Sequence, residues 1–239
     1  MALHEWRTES LSERVCCQGR AAAATAASLA PSVFLPSRMM NTNHLIVFLK
    51  APRPGFVKTR VAATAGRDKA CAIYRELVET LLAGLGSLDS VELRFWPDDA
   101  AAEIKSWLRE GWTAEPQGEG DLGDRLRRAF ASAFNSGAQR VVIIGSDCPE
   151  VEAADIRSAW RELAAHDLVV GPAVDGGYWL IGLSSPQPKM FAGIAWSSDQ
   201  VLGQTLQLGR ELGLRIQLLR ILTDIDTEED WNAYVRQRP

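Results

Sequence analysis

The chain has 239 residues, 46% hydrophobic and 23% charged, with a formal net charge of −4, a balance that suits one α/β domain and gives no reason for a second. The acidic balance argues against a nucleic-acid partner, which selects a basic face, and no apolar run approaches the roughly 20 residues of a membrane span. Cys16, Cys17, Cys71 and Cys148 have neither Cys-x-x-Cys spacing nor the density of a disulfide scaffold, so a cytoplasmic protein is expected.

Residues 1–43 differ from the rest. Glu5, Glu9 and Glu13 interleave with Arg7 and Arg14, an alanine-rich stretch follows, and Pro31 and Pro36 precede Met39 and Met40. The glutamates disfavour a secretory or organellar leader, so a disordered extension added by an upstream start is expected, with the ordered domain over 44–236. A strand is predicted at 45–49 and a helix at 69–85, where Ile73, Leu77 and Leu81 recur at four-residue steps. A strand at 91–96, a helix at 100–109 and an extended piece at 112–116 come next. A glycine-rich loop then opens a helix at 124–134, followed by a strand at 140–144, a helix at 152–164 and a strand at 167–170. The link through Gly176 and Gly177 to a strand at 178–183 is too short for a helical crossover, which predicts an antiparallel pair inside a mostly parallel sheet. A helix at 199–212 ends at Gly213, a strand follows at 215–219, and Thr227 caps a last helix running to 236. Alternation of this kind predicts an α/β fold with helices on both faces of the sheet.

Three segments carry candidate chemistry. Directly after the first strand, Lys50, Arg53, Lys58 and Arg60 place four cations within eleven residues of an acidic protein, in a loop stiffened by Pro52, Pro54 and Gly55. At the C-terminal edge of a buried strand such a loop suits a phosphate site, although it lacks the Gly-Lys-Ser/Thr of a Walker loop. The apolar run 141–144 ends in Gly145-Ser146-Asp147-Cys148-Pro149, which delivers Asp147 to the same edge as a candidate metal ligand or, more blandly, as a helix cap. Asp224 or Asp226, after the last strand, could complete a site for magnesium or manganese if that segment folds back. Asp121 and Asp124 read better as helix caps, Tyr178 and Trp179 as core, and Cys148 as packing, with no histidine placed to activate it.

Six motifs then occur in register: Pro-Gly-x-Val-Lys-Thr-Arg at 54–60, Gly-Asp-Leu-Gly-x-Arg at 120–125, Gly-Ser-Asp-x-Pro at 145–149, Asp-Gly-Gly-Tyr-x-Leu-Ile-Gly-Leu at 175–183, Trp196-Ser197, and Asp-x-Asp-Thr-x-Glu-Asp at 224–230. Together they resemble the bacterial DUF2064 family of glycosyltransferase-like proteins, over about residues 44–236. That family is similar to nucleotide-diphospho-sugar transferases of the GT-A fold and to the guanylyltransferases that activate phospholactate and molybdopterin.

The resemblance implies a Rossmann-like GT-A sheet, a Mg2+ or Mn2+ cofactor held by Asp147 and Asp226, and phosphates contacted by Lys58 and Arg60. The expected nucleotide-binding set is Arg53, Gly55, Lys58, Thr59, Arg60, Gln117, Gly120, Asp121, Gly176 and Gly177. The expected catalytic set is Lys58, Arg60 and Asp175, the last as the one nameable base for an inverting transfer. Sugar transfer from a nucleotide sugar to a small-molecule acceptor is the expected reaction. The alternatives are nucleotidyl transfer from a nucleoside triphosphate to a phosphorylated acceptor, and nucleotide binding without turnover. The chain departs from the resemblance in two places. Ser146-Asp147-Cys148 offers one carboxylate where a GT-A glycosyltransferase has Asp-x-Asp, and the first loop is not the Gly-x-x-x-Arg type of the nucleotidyltransferases.

Overall fold

The computed structural model describes residues 42–237. The extension expected over 1–43 therefore lies outside the described residues except at its last two positions, and Asn43 already belongs to the first strand. Seven strands form one sheet: β1 (Asn43–Lys50), β2 (Val91–Trp96), β3 (Thr113–Pro116), β4 (Arg140–Ile144), β5 (Leu168–Pro172), β6 (Tyr178–Leu183) and β7 (Ile216–Leu218), in the spatial order β3-β2-β1-β4-β6-β5-β7. β6 runs antiparallel to β4 and β5, and the other pairs are parallel. The short Gly176–Gly177 link is the cause, because parallel neighbours need a long crossover and this turn supplies only a reversal.

The strands carry apolar side chains on both sides because helices cover both faces. Leu45, Val47 and Leu49 of β1 join a core with Tyr74, Val78 and Leu81 of α2 (Arg67–Gly84) and Ile156 and Trp160 of α5 (Ala153–Glu162). The intervening Ile46 and Phe48 face Leu126, Ala129 and Phe130, which belong to α4 (Leu122–Asn135). Leu202 and Leu206 of α6 (Val201–Glu211) pack on that second core. Each fully buried leucine or isoleucine is worth roughly 1.5–3 kcal/mol relative to exposure, so the two layers fix the register of the central strands.

Two elements differ from expectation. The helix predicted at 100–109 is only α3 (Ala101–Ile104) followed by one 3-10 turn at Lys105–Trp107, and Leu108 is already extended. Ala100 offers no side chain to cap it. Between β1 and α2 lies a seven-residue helix read from sequence as loop, α1 (Thr59–Ala65), whose Val61 packs with Ile73, Leu77 and Ile225 in a third small core. The terminal helix α7 (Glu228–Gln237) sits against that core through Trp231 and Tyr234. Its cap is reciprocal: Thr227 Oγ1 accepts the Asp230 N–H at 3.1 Å, while Asp230 Oδ2 accepts the Thr227 N–H at 2.8 Å. Among the described residues no helix is long and apolar enough to cross a membrane.

Candidate active site

Parallel β1 and β4 end side by side, and the chain leaving each of them supplies one half of a charged cluster. After β4, Asp147 sits in the turn before α5 without capping that helix; Glu152 does so, exchanging bonds with Asp155. After β1, the loop ends at Lys58, which precedes α1 with a left-handed backbone (φ 46°, ψ 52°). A residue other than glycine holds that conformation at a cost of roughly 1–2 kcal/mol, so the surroundings must impose it.

The result is an inward-turned ammonium. The Lys58 side chain is 4% exposed, and its Nζ donates to Asp147 Oδ1 at 2.5 Å and to Asp226 Oδ1 at 3.3 Å. Burial opposes the charge on Lys58, but the two carboxylates outweigh it and raise its pKa, so the side chain stays an ammonium. Arg60, largely exposed in the first turn of α1, donates to Asp226 Oδ2 at 3.4 Å. Asp226 arrives because the segment after β7 folds back over the β4 turn, where the Ile225 N–H donates to the Asp147 carbonyl at 2.9 Å. Ile225 is itself buried in the third core, which anchors the segment.

The two neighbours of Asp147 point into the protein. Ser146 is buried and shares a hydrogen bond of 3.1 Å with the Tyr74 hydroxyl, which also accepts the Lys50 N–H at 2.7 Å. Cys148 is buried and donates its thiol to Asp224 Oδ1 at 2.6 Å. Burial pushes the Cys148 thiol far up, with the charges of Asp224 and Asp147 adding to it, so it is no nucleophile. Asp224 is half-buried, and that desolvation, with the charges of Asp147, Asp175 and Asp226, raises its carboxyl to about 6 despite the thiol bond. The tip of β4 therefore presents a single open carboxylate.

The other expected site residues divide into two groups. Thr59 opens α1 beside Lys58, and Asp175 lies near enough to Asp224 to act on its charge, although its Oδ1 accepts the Gly177 N–H at 2.8 Å in a turn of its own. Gly176 (φ 88°) has another job: a Cβ there would come within 2.3 Å of the Asp199 carbonyl oxygen, so this glycine lets the 196–200 segment pass. Arg53 is turned away to Glu103 and Asp99, at 2.5 and 3.0 Å. Gln117 is buried, donating to the Leu49 and Arg94 carbonyls at 3.0 and 2.9 Å and accepting from Arg125. Asp121 caps α4 by accepting the Asp124 N–H at 2.8 Å, Gly120 precedes it with φ 98°, and Gly55 turns with φ 87° against Arg67.

Tyr74 is the residue that sequence reasoning missed, because a tyrosine on the buried stripe of a helix reads as core. The Trp196 and Gly120–Arg125 motifs meet in space: a Cβ on Gly123 would strike the Trp196 indole at 2.7 Å. A hollow of about 500 Å3 lined by Arg140, Ser184 and Ser185 lies at the opposite end of the sheet, away from the carboxylates.

Asp147 and Asp226 are hard oxygen donors reached from two sides of one ammonium, which fits a cation between them. Among the described residues no group of three or more His, Cys, Asp or Glu is placed to hold a metal. Two carboxylates completed by water and phosphate oxygens nevertheless suit magnesium or manganese, which favour oxygen ligands and retain several waters.

Residues 82–198 match the family described as "Uncharacterized protein conserved in bacteria (DUF2064)". The chain is 27% identical over 197 residues to a phosphoenolpyruvate guanylyltransferase of Chloroflexus aggregans, covering 77% of this chain and 94% of the relative. It is 36% identical, with a TM-score of 0.77, to a crystallised protein of Desulfovibrio desulfuricans G20 provisionally assigned to the nucleotide-diphospho-sugar transferases; the match spans 82% of this chain and 87% of that one. Rv0371c of Mycobacterium tuberculosis H37Rv, solved as a manganese complex, shares the fold at 18% identity and a TM-score of 0.51, over 82% of this chain and 99% of its own.

Proposed function

We propose, for a transferase that belongs to the bacterial DUF2064 family, that the reaction is nucleotidyl transfer: a small phosphorylated acceptor attacks the α-phosphorus of a nucleoside triphosphate and pyrophosphate leaves. The observation that carries this reading is the single open carboxylate at the tip of β4, with Ser146 tied to Tyr74 and Cys148 tied to Asp224 on either side of it. The guanylyltransferase relative, matched over 94% of its length, supports it.

Asp147 and Asp226 would hold a divalent ion, whose chemistry when bound is to neutralise charge on the triphosphate. Lys58 and Arg60 would then pair with phosphate oxygens, the buried ammonium as a point charge and the exposed guanidinium as a two-pronged donor. No protein base is needed, because the acceptor phosphate is already an anion. That agrees with an Asp175 carboxylate engaged by the Gly177 N–H. The bond formed joins the acceptor oxygen to the α-phosphorus, and the bond broken releases pyrophosphate with its electron pair.

Sugar transfer is the second reading, favoured by the assignment of the Desulfovibrio protein. One assay separates the two. The protein is incubated with each nucleoside triphosphate, Mg2+ or Mn2+, and phosphorylated small acids, GTP with phosphoenolpyruvate first. Pyrophosphate release that needs both substrates is expected. It should fall at least about 100-fold in Asp147→Asn, about 2.7 kcal/mol of barrier, with the folded circular dichroism spectrum retained. Consumption of a nucleotide sugar with nucleoside diphosphate release, and no pyrophosphate, would replace this proposal with the second.

A further inference from the structure

Lys58 occupies the place where two carboxylates would grip an ion. Its Nζ touches one oxygen of each, and its side chain is 4% exposed, whereas Asp147 and Asp226 are 48% and 37% exposed. An ion in solution can therefore reach the carboxylates without any unfolding. Their charge, however, is already countered by the Lys58 ammonium. A divalent ion on the same oxygens and an ammonium beside it repel each other, since each favours the pair of anions and disfavours the other cation. Arg60 is placed differently: it approaches Asp226 alone, from the exposed side, and does not bridge.

We infer that Lys58 is a resident stand-in for the metal: in the ligand-free protein it neutralises Asp147 and Asp226, and an incoming phosphate draws its ammonium away, so that the phosphate and the divalent ion enter as a coupled pair. The inference rests on the proposed metal site. It assigns Lys58 two successive partners, carboxylates first and phosphate second. Because coupling between two ligands is reciprocal, the metal tightens phosphate by the same factor that phosphate tightens the metal. A protein built this way does not sequester free divalent ions in the absence of nucleotide.

The test is calorimetric titration with Mn2+ alone into the full chain, its Lys58→Gln and Arg60→Gln variants, and the Lys58→Gln, Asp147→Asn double variant. Lys58→Gln is expected to bind Mn2+ at least ten-fold more tightly than the unmodified protein. Arg60→Gln, which removes an equal charge from beside Asp226, is expected to change affinity less than three-fold. Asp147→Asn is expected to abolish the gain. Equal gains from Lys58→Gln and Arg60→Gln, or none from Lys58→Gln, would overturn the inference.

The site itself is checked separately, by titrating Mn2+ into the protein saturated with tripolyphosphate. If Asp147→Asn abolishes that binding while Lys58→Gln leaves the metal-only affinity unchanged, the metal site stands and the stand-in role falls. If Asp147→Asn has no effect there, both fall. Should Lys58→Gln fail to fold, nitrogen-15 spectra of the unmodified protein decide: the Lys58 ammonium signal is expected to shift with Mg2+ and tripolyphosphate together and to stay in place with Mg2+ alone. A signal unmoved by both ligands together would overturn the inference.

Discussion

The Tyr74 hydroxyl joins the ends of two strands that carry opposite charges to the site. It takes the N–H of Lys50, the last residue of β1, and bonds Ser146 immediately before Asp147. Tyr74→Phe keeps the ring in its core and removes the hydrogen bonds to the Lys50 N–H and the buried Ser146 hydroxyl. The expected loss is about 1 kcal/mol of stability, measured by urea denaturation, the net worth of an ordinary hydrogen bond. Acid acts at another residue. Side-chain and backbone bonds from Arg215 hold the Asp167 carboxyl at about 2, below its ordinary 3.8. A lowered carboxylate stabilises the fold fully above its unfolded value, and that contribution disappears as pH falls through the folded one. Asp167→Asn should therefore melt below the unmodified protein near neutral pH, with the gap closing between about pH 4 and about pH 2. Unchanged spacing between the two melting curves across that range would refute the pairing.

At the scale of elements, what could be read in the sequence depended on where the partners lie. β1, β4 and β6 announce themselves as apolar runs, and the Gly176–Gly177 turn dictates the antiparallel strand, since these are local signals. Asp147 and Asp226 stand out for a similar reason, as carboxylates just beyond apolar segments. Helix α1 escaped notice because Lys58, Thr59 and Arg60 read as the end of a cationic loop. Only its packing on Ile73, Leu77 and Ile225 shows why it coils. The fates of Arg53 and Gln117 were equally hidden, because Glu103, Asp99 and the Leu49 carbonyl are distant in sequence and adjacent only in the fold. The 175–178 turn offers the sharpest test of an element. Gly176→Ala must hold a positive φ and drive a methyl group against the Asp199 carbonyl, so a loss on the order of 1–3 kcal/mol is expected. Thermal unfolding checks it. Thr227→Ala, which deletes the cap of α7, should cost about 1 kcal/mol by the same measurement.

At the scale of the whole molecule, the cores of both sheet faces run, among the described residues, from Leu45 onward. From the composition of residues 1–43 alone, a chain beginning at Met40 is expected to unfold at the same denaturant midpoint, and with the same slope, as the full 239 residues. A clearly lower midpoint for the shortened chain would show that residues 1–39 contribute to the fold. The same fold joins groups far apart along the chain. Lys58 precedes Asp147 by 89 positions and Asp226 by 168, and the cluster closes only where the Ile225 N–H meets the Asp147 carbonyl. During synthesis, then, six of the seven strands can leave the ribosome before the second carboxylate of the site has been translated. A chain cut at residue 227 would keep Asp226 but lack α7, the helix that backs the closing segment. A chain cut at residue 215 would hold six of the seven strands and lack Asp226, so synthesis builds most of the sheet before the charged cluster can form.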